Sequence, residues 1–308
     1  MKSALRIVFL MLLAVFVSGA MADGLGDSEF PALRDCHDPE LQRGINQMIE
    51  RLGLKRAVAS KQLALAVTDI TDLNNPRMAS VNGDEMIYAA SLPKIAILLA
   101  AFVEIDEGRM ALTDEIRESL TRMVRFSSNA DAAKMTRLVG IERIAEVLTS
   151  PRFRLYDPQY NGGLWMGKEY SKAGTWKRDP LHHLSHGATA IQTARFFYLL
   201  ETGQLVSPQL TQEMKQILSH PGIKHKFVKG LAGRPGVQIY RKSGTWRTWH
   251  ADGALVEQGG HRYIVVGLAK HPNGGHWLSD IIGPIHDLVL AIDDQQQLAL
   301  AGNSPASL

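Results

Sequence analysis

Apolar residues recur at helical spacing from Pro39 to about Leu54, where Leu41, Ile45, Met48, Ile49 and Leu52 form one stripe. Gln62 to Ile70 (QLALAVTDI) reads as a strand, and Arg77 to Tyr88 as a second strand broken by a turn at Asn82-Gly83. Leu92 to Val103 (LPKIAILLAAFV) is apolar on nearly every face, which predicts a helix inside the protein. Thr113 caps a following helix, with Asp114 and Glu115 in its first turn, where they suit the helix dipole. A helix from about Ala130 stops at Gly140, and another covers Ile141 to Leu148.

Residues 151–188 show no period and are rich in Gly, Trp, Tyr and His. A loop of that length inside a compact protein is usually functional. Thr189 and Gln192 make a capping box for a helix to Glu201, and Ser207-Pro208 opens the next one. Apolar runs return at Gly236 to Lys242, Ala251 to Gln258 and Arg262 to Ala269, joined by turn residues such as Gly259-Gly260. A helix from Asp280 to about Leu300 closes the chain. This order predicts an α/β fold, a mixed sheet flanked by helices, with an all-helical lobe inserted in mid-chain. The α/β lobe takes about 37–90 and 225–305, and the helical lobe about 91–224.

The N-terminus changes the picture of where the chain goes. Lys2 and Arg6 precede the apolar run Ile7 to Val17, and Ala20-Met21-Ala22 is a small-x-small cleavage site. Residues 1–22 therefore read as a signal peptide, and the run is short of the roughly 20 residues a membrane span needs. The product is expected to be exported, periplasmic or secreted, without stable membrane insertion. The formal charge of +3 falls to +1 once Lys2 and Arg6 leave, so nothing demands nucleic acid as a partner. Cys36 is the single cysteine, so the fold has to hold by packing rather than by disulfides.

Three short motifs carry the chemistry. In Ser91-Leu92-Pro93-Lys94, positions three apart share a helix face, so a hydroxyl and an amine sit side by side at the start of the buried helix. Burial lowers an amine's pKa and lets it take a proton from serine. This pattern alone is weak, since a Ser and a Lys three apart arise by chance about once in a chain this long. Ser127-Ser128-Asn129 lies at a loop-to-helix junction, where Ser128 also serves as an N-cap. Lys242-Ser243-Gly244-Thr245 ends a predicted strand; Gly244 admits a close backbone approach, and the N–H of Thr245 is free to point into a cleft.

In this order and on these element types, the motifs resemble those of the active-site serine family of penicillin-binding proteins and class A-type β-lactamases, S-x-x-K, S-D-N and K-T-G. The resemblance spans nearly the whole of residues 23–308, which it implies to be one catalytic domain. It implies Ser91 as the acylated nucleophile, Lys94 as its base, and Ser127 as a proton relay to the leaving nitrogen. Asn129 would orient the substrate amide and Lys94. Lys242 would place positive charge near Ser127 and the substrate carboxylate, and Ser243 or Thr245 would bond that carboxylate. The N–H groups of Ser91 and Thr245 would form the oxyanion hole, with Gly244 between the strand and its ligand.

The chain departs from that pattern twice. Ser128 stands where the family pattern has Asp. Residues 151–188 also lack the E-x-x-L-N run through which such β-lactamases hydrolyse the acyl-enzyme; Glu169 is the candidate base there, beside Asp157 and Asp179. The implied activity is an exported serine hydrolase acting on β-lactam amides without a cofactor or metal. One alternative is a D,D-peptidase-like amidase or esterase with slow deacylation, acting on peptidoglycan-like peptides. The other is a non-catalytic protein that binds peptides or wall fragments. His182, His183 and His186 read as polar loop residues. His250, Asp252 and Trp249 are expected to line or buttress the cleft, and Lys224, Lys226 and Lys229 to form a solvated helix face.

Overall fold

The computed structural model describes residues 30–174 and 176–302. The signal peptide expected at residues 1–22 lies outside the described residues. A short 3-10 turn at Leu33–Asp35 precedes α1 (Pro39–Arg51) and α2 (Lys55–Ala59), then β1 (Leu63–Asp69) and β2 (Arg77–Val81). The two-residue strand β3 (Ile87–Tyr88) leads into α3 (Lys94–Asp106), followed by α4 (Asp114–Arg125), α5 (Asn129–Val139) and α6 (Ile141–Thr149). Four short strands come next: β4 (Tyr156–Asp157), β5 (Gly162–Gly163), β6 (Trp165–Met166) and β7 (His186–Ala188). Then come α7 (Ala190–Glu201), α8 (Pro208–Leu218) and α9 (Phe227–Gly230), and the chain ends on β8 (Gln238–Trp246), β9 (Trp249–Gln258), β10 (His261–Lys270) and α10 (Gly274–Gly302).

Local chemistry explains most boundaries. Asp38 caps α1, its Oδ1 accepting from the Leu41 N–H at 2.7 Å with Pro39 at the first helical position. The helix stops at Arg51, short of the expected Leu54, because Gly53 turns left-handed at φ +68°. Thr113 accepts from the Ile116 N–H and starts α4 as expected. Only half of the expected capping box at α7 forms. Thr189 Oγ1 accepts from the Gln192 N–H at 3.3 Å, but the Gln192 side chain reaches away to the Arg154 carbonyl at 2.5 Å.

The central sheet runs β2-β1-β10-β9-β8, and every one of its pairings is antiparallel. A mixed sheet was expected. Tight turns join β8 to β9 and β9 to β10, which forces neighbours to run in opposite directions. Both faces are covered. Ala64 and Ala66 of β1 face one core together with Ile264, Val266 and Leu268 of β10. Leu63, Leu65 and Val67 face the second core with Tyr263 and Val265, under α1 and α10. This double burial is why the strands read as continuous apolar runs.

Helix α3 passes through the larger core with Lys94 to Phe102 entirely buried, and α5, α6 and α8 pack around it. The closing helix starts at Gly274, six residues before the expected Asp280. Gly274 and Gly275 are poor helix formers, so sequence pattern misses them. They are needed because His250 lies against both; a Cβ on Gly274 would fall 2.9 Å from the His250 ring.

Candidate active site

The first motif sits between β3 and α3. Tyr88 pairs with Gly187, the Ala89 N–H donates to the His186 carbonyl at 2.9 Å, and Ala90 then takes a left-handed φ of +52°. The next N–H groups close three-residue turns: Leu92 to the Ala89 carbonyl, Lys94 to Ser91, Ile95 to Leu92 and Ala96 to Pro93. This tight entry precedes the α-helix proper. Residues three apart eclipse in such a turn, so Ser91 and Lys94 share one side as the spacing predicts. Ser91 is partly exposed, whereas Lys94 is wholly buried.

Lys94 Nζ donates to the Ser127 carbonyl at 2.6 Å and to Asn129 Oδ1 at 2.7 Å, and lies 3.4 Å from Ser127 Oγ. Burial pushes its pKa down to about 7, against the opposing pull of the Asp131 carboxylate. The second motif reaches this place by a backbone kink: Ser127 has φ +59°, and Ser128 immediately caps α5, its Oγ accepting from the Asp131 N–H. The start of α5 is held by this cap and by Asp131, whose carboxylate accepts two bonds from Arg122 at 2.7 and 3.1 Å.

The third motif lies on β8, an edge strand of the sheet. Lys242 Nζ donates to Ser127 Oγ at 3.0 Å and to the Ser243 carbonyl at 2.7 Å. Burial, with Lys94, Arg241 and Lys226 as like charges nearby, drives its pKa well below the usual lysine range. Gly244 lies hard against the backbone at Ser91. A Cβ there would stand 2.1 Å from the Ala89 carbonyl oxygen and 2.7 Å from the Ser91 nitrogen. Only glycine lets the strand come this close. Ser243 is buried and Thr245 is exposed at the mouth.

Beneath β8 lies a charged layer of which sequence pattern signalled only Asp252. Lys226 is buried, in contrast to the solvated face expected for it; Lys224 and Lys229 are exposed as expected. Its Nζ donates to the Gly244 carbonyl at 2.6 Å, Thr245 Oγ1 at 2.8 Å and the Ala251 carbonyl at 3.0 Å. Burial lowers its pKa to about 8. Arg241 grips Asp252 with two bonds of 2.6 and 2.8 Å, and Asp252 also accepts from the Phe227 N–H. Asp252 is thus a buttress, as its place after the third motif suggested.

Residues 151–188 are a built wall rather than an aperiodic loop. β6 and β7 join β3 in a small sheet, and Asp179 organises the return by accepting from the Tyr156 hydroxyl and from the N–H groups of Leu181, His182 and Leu184. His186 is buried rather than part of a polar loop surface, and burial lowers its pKa to about 4. Glu169 is buried in an ion pair with Arg137 of α5, whose own side chain is exposed. The neighbouring Tyr170 faces inward, its ring centroid 4.5 Å from Lys94 Nζ and its hydroxyl donating to the Ala90 carbonyl at 2.9 Å. Trp249 meets Tyr88 edge-on at 5.5 Å, extending the wall outward.

The sequence profile of the β-lactamase enzyme family matches residues 45–123 and 115–292, most of the chain. The chain belongs to the β-lactamase enzyme family. No curated protein sequence matches it. Among solved structures, a β-lactamase from Sphaerobacter thermophilus DSM 20745 superposes with a TM-score of 0.61 at 16% identity, covering 80% of this chain and 96% of that one. PBP-A superposes with a TM-score of 0.63 at 20% identity, covering 86% and 99%. A PBP-A variant solved as an acyl-enzyme complex with penicillin G gives 0.61 at 19% identity, covering 84% and 98%. At such identities these neighbours share the fold with this β-lactamase-family chain. Among the described residues, no cluster of His, Cys, Asp and Glu is arranged to hold a metal, and no helix is long and apolar enough to cross a membrane.

Proposed function

We propose that the protein is an exported serine hydrolase that opens β-lactam-type amides through an acyl-serine intermediate. The observation that carries this reading is the Ser127 hydroxyl, which stands between two buried amines, 3.4 Å from Lys94 and 3.0 Å from Lys242. In the acylation step the Ser91 oxygen forms a bond to the amide carbonyl carbon and gives its proton to the neutral Lys94 amine. The N–H groups of Ser91 and Thr245 stabilise the oxyanion, and Asn129 and Lys242 hold the substrate, with Ser243 or Thr245 bonding its carboxylate. As the carbon–nitrogen bond breaks, Ser127 donates its proton to the leaving nitrogen and recovers one from Lys94. Water then cleaves the ester and frees Ser91.

Two contacts favour a second reading of the last step, that of a D,D-peptidase-like acylating enzyme which deacylates slowly. Tyr170, not a carboxylate, lies over Lys94, and Glu169 is engaged by Arg137. Incubation with penicillin followed by intact-mass measurement tests the shared part: one covalent adduct is expected, and an unlabelled protein defeats the proposal. A chromogenic cephalosporin separates the two endings. Sustained turnover marks a β-lactamase, whereas a stoichiometric burst without turnover marks the slow deacylator.

A further inference from the structure

Tyr170 touches Lys94 and the residue that precedes Ser91 in a way the reaction scheme above does not use. Ala90 precedes the nucleophile and holds a left-handed φ of +52°, a conformation that a residue with a Cβ keeps only when its surroundings insist. The Tyr170 hydroxyl donates to the carbonyl of this peptide at 2.9 Å. Burial raises the phenol's pKa well above its ordinary value, so the hydroxyl remains a donor at any working pH. The loop is fixed in this orientation from both sides. Glu169 pairs with Arg137, and the Tyr170 ring packs at a tilt of 36° on neutral His186, centroids 4.3 Å apart, whose Nε2 meets the Lys168 carbonyl at 2.9 Å.

The ring closes the remaining side of the lysine. Ser127 and Asn129 bond Lys94 Nζ, Asp131 acts on it from α5, Lys242 from β8 and His186 from β7. Among the described residues no carboxylate bonds the amine directly. We propose that Tyr170 is the positioning residue of this site, its hydroxyl fixing the strained peptide ahead of Ser91 and its ring keeping water and carboxylates off the Lys94 amine. The inference rests on the acyl-serine reading above.

Y170F keeps the ring and loses the strut; Y170A loses both. Two measurements divide the roles: the rate of penicillin labelling across pH, and the Lys94 titration followed by NMR on protein carrying labelled lysine. Y170F is expected to label about tenfold more slowly with an unmoved pH midpoint, as misplacement of a nucleophile does. Y170A is expected to shift the Lys94 midpoint upward, because water entering beside the amine relieves its desolvation. Y170L takes the place of Y170A if that variant does not fold. Wild-type labelling rates in Y170F, or an unmoved Lys94 midpoint on loss of the ring, would overturn the proposal. If wild-type protein takes no label, the acyl-serine reading falls, while the NMR midpoint still judges the tyrosine.

Discussion

Two buried amines, Lys94 and Lys242, lean on the Ser127 hydroxyl. Lys94 has its pKa near 7 because burial outweighs the attraction of Asp131. Its neutral form is the one that accepts a proton, so acylation should rise with pH and level off above that value. Rates of penicillin labelling on either side of neutrality check this; a rate that falls through pH 7 instead would remove Lys94 from the base role. Ser91→Ala should abolish labelling yet leave stability within about 1 kcal/mol of wild type, or raise it, since clustered polar groups at such sites are commonly strained. Intact mass and thermal melts measure the two halves of that expectation. Lys94, Ser127, Asn129 and Lys242, which the fold brings into hydrogen-bond contact, were legible from three short motifs. Tyr170 and Lys226 were not, because their importance comes from packing direction: Lys226 looks like its exposed neighbours Lys224 and Lys229 until the fold buries it.

Among the elements, long periodic segments were the readable ones. α1, α4, α5 and α6 follow their apolar stripes and caps to within a few residues. The wall made by β4 to β7 escaped notice because strands of two or three residues have no period to detect. The start of α10 escaped because tertiary contact with His250 selects glycines that propensity disfavours. β8 is where element geometry meets chemistry most directly. Gly244→Ala would drive a methyl into the Ala89 carbonyl and push the strand away from Ser91. Displacement on the order of 1 Å predicts a loss of about 100-fold in acylation rate. The same labelling assay measures it, and unchanged kinetics would mean that the strand's distance from Ser91 is not critical.

For the whole molecule, the α/β architecture was apparent from element order, but strand direction was not, since it depends on which turns are tight. Buried ionisable groups predict its acid sensitivity. Burial lowers the pKa of His186 and His225 to about 4, against an ordinary value of roughly 6.5, so the unfolded chain binds protons that the folded one refuses. The contribution of these two histidines is therefore fully present above pH 6.5 and is lost as pH drops toward 4. Glu104, held near 2 by its bonds to Arg109 and Arg143, adds a further loss below about 4.5. Melting temperatures over this range should decline in that order, and His225→Gln should flatten the upper part.

The centre of the sheet joins Leu63 to Ala269, near opposite ends of the chain. A nascent chain therefore carries β1 with one edge unpaired until β10, the last strand, emerges to pair with it. Refolding should accordingly be slow and prone to aggregate, and any shortened chain ending before His261 would leave that edge of β1 unpaired.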